Sequence, residues 1–178
     1  IDAICFCNRL SEKCGYTPVY SVDGTTDISS CMITKSGKHY YPDDIYKKIV
    51  QNASANGFRL PTNGEWEYAS QARNLKKKKN VIGPLPKKME DYENYFGLKD
   101  MWGRIWEWVW DSGGTYGRFF RGGSYDLKSY NMNEGIYRIV RGGAKEYNSL
   151  DKYPNATEFT WKDNGIGFRI VQSCMDGK

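Results

Sequence analysis

Gly97-Leu98-Lys99-Asp100-Met101-Trp102-Gly103-Arg104-Ile105-Trp106-Glu107-Trp108 is the stretch on which the reading of this chain turns. Gly103 is a turn residue set between two carboxylates, Asp100 and Glu107, with Trp102, Trp106 and Trp108 around them. From Ile105 onward the pattern alternates with the period of a strand. Ile105, Glu107 and Val109 fall on one face, and Trp106, Trp108 and Trp110 on the other. A glutamate among so many aromatics is costly to bury unless a cation or a set of backbone donors pairs with it. The plain alternative is a half-exposed strand carrying a solvated Glu107.

The rest of the composition fits a chain built around such segments. Its 178 residues suit one domain large enough for a substantial core. Hydrophobic content is only 39%, yet aromatics reach 15%, with 14 Tyr and 6 Trp. Large amphipathic rings in a polar chain imply either an aromatic core or an aromatic recognition surface. The 19 glycines imply many tight turns. The net charge of +5 is mostly local: Lys76 to Lys79, then Lys87 and Lys88. That block reads as a solvated loop, and with no aromatics interleaved and no known signature beside it, nucleic acid is not an expected partner.

Cys5, Cys7, Cys14, Cys31 and Cys174 lack the Cys-x-x-Cys spacing of zinc or redox motifs and leave the redox compartment open. A single histidine, His39, rules out any multi-histidine metal centre. No run approaches the ~18 apolar residues of a transmembrane helix. The sequence opens at Ile1, already inside a helical pattern, which reads as a fragment whose leader or anchor would lie upstream.

Along the chain, Ala3, Phe6, Cys7 and Leu10 recur at helical spacing, with Gly15 as a stop. Tyr16 to Tyr20 reads as a short strand, Ile33 to Tyr41 as a hairpin interrupted at Gly37, and Tyr46 to Val50 as ambiguous. Thr62 and Glu65 form a capping box opening a helix with Trp66, Ala69 and Ala72 on one face. Beyond Phe96 the expectation is short strands without helix: Ile105 to Trp110, Phe119-Phe120, Ile136 to Val140 and Ile166 to Val171. Arg121-Gly122-Gly123-Ser124 and Arg141-Gly142-Gly143-Ala144 each follow an apolar strand. Paired glycines there permit a bulge or close backbone approach, and each Arg would anchor a loop through carbonyls.

Taken in order, these segments resemble the formylglycine-generating-enzyme, or sulfatase-modifying-factor, domain. The resembling stretches are Ala3 to Glu12 with Gly15-Tyr16, and Phe58-Arg59-Leu60-Pro61-Thr62 through Glu65-Trp66-Glu67-Tyr68-Ala69. They continue in Tyr95-Phe96-Gly97-Leu98 through Trp106-Glu107-Trp108, in Arg141-Gly142-Gly143, and in Gly167-Phe168-Arg169. The resemblance implies an α+β, C-type-lectin-like fold with two helices near the N-terminus, short antiparallel strands and long irregular loops. It places one domain over residues 1–178, without the family's usual N-terminal strands. It also implies a calcium site on the Asp100 and Glu107 carboxylates and the Gly103 and Ile105 carbonyls, chemistry that suits a cation taking several oxygen ligands. Arg104 stands where the family usually has Asn, so a guanidinium paired with Glu107 is the alternative to the ion. No cofactor is required beyond that possible structural calcium.

The family's oxidases carry a cysteine pair shortly after the final Gly-Gly, where thiolates hold copper. Here Gly143 to Tyr153 contains no cysteine, and Cys174 lies beyond Gly167-Phe168-Arg169. The related iron-dependent enzymes need several histidines. No catalytic residue is therefore expected. The chain looks most similar to the variable proteins of bacterial diversity-generating retroelements, which bind ligands through diversified C-terminal residues. Trp110 to Trp161 is rich in Tyr, Asn, Ser, Asp and Gly, the mixture paratopes favour. The expected contact residues are Trp110, Asp111, Ser112, Tyr116, Tyr125, Tyr130, Tyr147, Asn148, Asp151 and Trp161. The implied role is binding a protein or glycan ligand at a bacterial cell surface, with membrane attachment only through a lipid anchor outside this stretch. A divergent oxidase and an accessory module of a larger surface protein are the alternatives.

Overall fold

A computed structural model describes residues 1–36, 38–42, 44–70, 93–94, 96–102, 104–113, 137–143, 155–159, 162 and 164–173. The first element, α1 (Asp2–Lys13), buries Ala3, Ile4, Cys7, Asn8 and Ser11, a stripe at i, i+3 and i+4 spacing. It ends where expected. Gly15 takes φ +75°, Gly15 N–H bonds Glu12 O and Tyr16 N–H bonds Ser11 O, which together form a Schellman closure. Two polar residues on the buried stripe are fully used. Asn8 Nδ2 donates to Tyr20 O and Thr26 O while Oδ1 accepts from Tyr20 N–H. Ser11 Oγ donates to Cys7 O and accepts from Phe58 N–H.

Small antiparallel pairs follow. β1 (Tyr20–Val22) pairs with β4 (Ile49–Gln51), and β2 (Ile33–Lys35) with β3 (Lys38–Tyr40). The second pair is the expected hairpin about Gly37. A 3₁₀ turn (Ile28–Cys31) precedes it, and the ambiguous Tyr46 segment resolves into a one-turn helix, α2 (Ile45–Lys48), running into β4. The strand expected over Tyr16 to Tyr20 begins only at Tyr20. Before that, Thr17 N–H is taken by the Asn56 side chain, Tyr16 packs edge-on against Phe58, and Val19 O accepts Asn52 N–H just beyond the end of β4.

β5 (Phe58–Arg59) pairs with β10 (Val171–Gln172) and leads into α3 (Asn63–Ser70). The capping box is present: Glu65 N–H reaches Thr62 Oγ1 at 3.2 Å and Thr62 N–H reaches Glu65 Oε2 at 2.7 Å. Trp66 of this helix is buried with Ala69 packed beside it. Ala72 lies outside the described residues, as do Phe119-Phe120, the Arg121 tetrad and the lysine run.

The largest described sheet has the order β8-β7-β6-β9, with β6 (Trp106–Gly113), β7 (Tyr137–Arg141), β8 (Asn155–Glu158) and β9 (Ile166–Phe168). β6–β7 and β7–β8 are antiparallel, but β6–β9 is parallel, a departure from the all-antiparallel expectation. The β6–β7 register breaks between Trp108 and Ser112, where the three residues Val109 to Asp111 of β6 lie opposite Ile139 alone, between Val140 and Arg138. The alternation along β6 is real and both faces are covered. Val109 joins Trp66, Met101 and Ile139 on one side, while Trp106 packs with Val140, and Trp108 and Trp110 pack toward the α1 core, on the other.

Candidate functional site

Glu107 is the centre of a buried polar cluster, with 4% of its surface exposed. Its Oε2 accepts Trp66 Nε1–H from α3 at 2.8 Å and Arg169 Nε–H from the residue after β9 at 2.8 Å. Arg169 extends further to the carbonyl of Lys99 at 2.6 Å. Opposite Glu107 in the ladder stands Arg141, 2% exposed, its guanidinium 4.8 Å from the Trp66 ring centre. Burial pushes the Glu107 carboxyl above its ordinary value even though Arg169 and Trp66 pull the other way. Burial likewise lowers the Arg141 guanidinium from its ordinary value. Helix α3, β6 and the Arg169 segment are thus joined at one carboxylate, with Arg141 over the Trp66 ring beside it.

Of the expected calcium ligands, Gly103 lies outside the described residues. Asp100 adopts φ +56°, with Oδ2 3.0 Å from Arg104 NH1 and Oδ1 buried without a partner. The main-chain oxygens of Ile105 and Met101 converge on Gly142, lying 3.0 and 3.3 Å from where a Cβ would stand. Arg104 does not pair with Glu107, contrary to the sequence alternative. It stays on the surface, 61% exposed, bound to Asp100 at i,i+4 spacing, while Arg169 takes Glu107 from inside.

Three of the expected ligand contacts are described. Trp110 is half-buried: Arg138 sits over its ring at 4.6 Å, Tyr20 lies at 4.8 Å, and its N–H bonds Pro61 O. Asp111 Oδ2 accepts Asn63 N–H at the start of α3, adding an anion where the helix dipole favours one. Ser112 Oγ accepts from Arg138 NH1 at 2.9 Å. Asp111 and Ser112 therefore hold the frame together. Tyr116, Tyr125, Tyr130, Tyr147, Asn148, Asp151 and Trp161 lie outside the described residues.

Sequence reasoning missed the roles of Arg169, Arg138 and Asn94. Asn94 Oδ1 gathers the N–H groups of Phe96 and Leu98, and its Nδ2 reaches Ala69 O. Arg141, expected to hold carbonyls, lies over the Trp66 ring. The available signal for Arg169 was the unpaired Glu107 itself, which demanded a cation from somewhere in the chain.

Residues 71–174 match the sulfatase-modifying factor enzyme 1-like domain. The chain belongs to this family. Within the sulfatase-modifying factor family its fold is that of the C-type-lectin-like proteins. The structure of Treponema denticola variable protein 1 superposes over 94% of this chain with a TM-score of 0.57 at 23% identity. That of CarF superposes over 97% with a TM-score of 0.62 at 22% identity. This chain spans 66% and 65% of those two proteins, respectively. A stretch of 69 residues, 39% of this chain, is 39% identical to chaperone protein LppX of Paenibacillus barcinonensis, and spans 22% of that protein.

Proposed function

We propose that this chain is a non-catalytic ligand-binding protein, one C-type-lectin-like domain that displays a variable aromatic and polar surface, as the variable proteins of diversity-generating retroelements do. The observation carrying this reading is the stretch after Gly142-Gly143. From Ala144 to Tyr153 it holds no cysteine where the family's oxidases place their thiol pair. The fold shared with Treponema denticola variable protein 1 supports the same reading. So does the way Trp66 and Arg169 are bonded to Glu107 Oε2, since groups so occupied have little left to offer as chemistry.

The ligand is a protein or glycan met at a bacterial cell surface, and its contacts are Trp110, Tyr116, Tyr125, Tyr130, Tyr147, Asn148, Asp151 and Trp161. The match to a family that includes enzymes supports a second reading, a divergent oxidase. Incubation with copper and a cysteine peptide of sulfatase type separates the two: unchanged peptide is expected, and aldehyde formation would overturn the binder. A third reading, an accessory module, draws on the short stretch shared with a chaperone protein.

On this proposal no cofactor is required. Calcium, where it binds, would be held by the Asp100 and Glu107 carboxylates and the Gly103 and Ile105 carbonyls. The partnerless Asp100 Oδ1 fits such an ion, and the ion would add stability through binding the folded state. Melting temperatures in calcium and in chelator measure this directly.

A further inference from the structure

A cavity of about 830 Å³ opens between the start of α1, the β2–β3 hairpin and the β6–β9 edge of the large sheet. Its walls are mostly apolar, with Ile4, Ile49, Leu60, Trp108, Phe159 and Ile166 among them. That size and lining are typical of sites for small organic ligands. Among the described residues, Lys35, Lys162 and Arg138 line it against one carboxylate, Asp2, which is taken by Lys162 at 2.7 Å.

Arg138 carries the argument. Its NH1 donates to two neutral acceptors, Trp110 O at 2.8 Å and Ser112 Oγ at 2.9 Å, and its Cζ lies over the Trp110 ring at 4.6 Å. Asp111 acts on it electrostatically, but the Asp111 carboxylate is bound to Asn63 N–H, and among the described residues no carboxylate forms an ion pair with Arg138. A guanidinium held this way in an apolar cavity is partly stripped of water and, among the described residues, has no ion-paired counter-charge. A carboxylate brought in with an apolar body supplies that charge, because the planar fork matches a carboxylate at two points. We propose that this cavity binds an apolar monoanion, a hydrocarbon or aromatic body with a single carboxylate seated toward Arg138. The proposal stands whether or not the late tyrosines bind anything.

Calorimetric titration with decanoate, run beside decanol, tests it on the whole chain. Decanoate is expected to bind about tenfold or more tightly than decanol, the scale of one charge-assisted hydrogen bond. Arg138→Gln should bring decanoate down to the level of decanol and leave decanol unchanged, while Arg138→Lys keeps part of the preference. Ile33→Asp, on the exposed rim, places an anion at the mouth and should weaken decanoate alone. Melting curves report whether each variant folds; if Arg138→Gln does not, the two ligands and Ile33→Asp decide. No binding of either ligand, equal binding of both, or a folded Arg138→Gln with undiminished preference would overturn the site.

Discussion

At Glu107 a single carboxylate oxygen receives an indole N–H from α3 and a guanidinium from the end of β9, so removing the acid strands two donors at once. Glu107→Leu is expected to destabilise the fold by about 3 kcal/mol, the lower end for a broken buried pair because Arg169 keeps access to water. Urea unfolding of the variant, and of Glu107→Leu combined with Arg169→Met, measures it. The double variant should recover part of the loss, since no unpaired cation remains. Gly142 is a second fixed point. It holds φ +96° with the Ile105 and Met101 carbonyls against it, so an added methyl meets rigid backbone. Gly142→Ala should cost about 1–3 kcal/mol, read as a shift in denaturation midpoint. Gly167→Ala, whose methyl meets the movable end of the Ile105 side chain, should cost less.

Helix α3 shows what a local signal can and cannot reveal. Thr62 and Glu65 announce its start, and the reciprocal bonds are there. Hidden in sequence was that Arg59, on β5, also grips Glu65 with both terminal nitrogens, at 2.7 and 2.6 Å. The Arg59 hydrogen bonds hold the Glu65 carboxyl at about 2, against an ordinary 4.5. The acid is depressed in the folded state, so its contribution is present above pH 4.5 and is lost as pH falls toward 2. Glu65→Gln should therefore flatten that part of the acid limb of a stability–pH curve. An unchanged limb would mean the ion pair contributes nothing. Thr62→Ala should cost about 1 kcal/mol at neutral pH. Helices and hairpins were legible because their partners lie a few residues away. The parallel β6–β9 pair, β8, and the Arg169–Glu107 bond were not, because each joins segments tens of residues apart and no spacing rule reaches that far.

Across the whole molecule the framework and the proposed recognition surface are written in different residues. Among the described residues the frame turns tryptophans inward: Trp66 and Trp106 are buried, and Trp108, though half-buried, packs against two of the core clusters. Asp111 and Ser112, expected at the ligand, bond α3 and Arg138. Residues chosen for their type alone therefore divide between the two roles, and only partners tell them apart. This division gives the sharpest test of the binding proposal. Tyr116 and Tyr147 belong to its contact set, and aromatic anchors in paratopes provide contact area without holding the domain together. Replacing both by Ala should reduce ligand binding by about 2 kcal/mol or more, measured against a selected protein or glycan target, while the melting temperature stays within a degree or two. Asp111→Ala should do the reverse, lowering the melting temperature through the start of α3 and leaving affinity nearly intact. If the tyrosine variant melts early instead, those rings are part of the core, and a domain of such modest aliphatic content is using its aromatics to stay folded rather than to recognise anything.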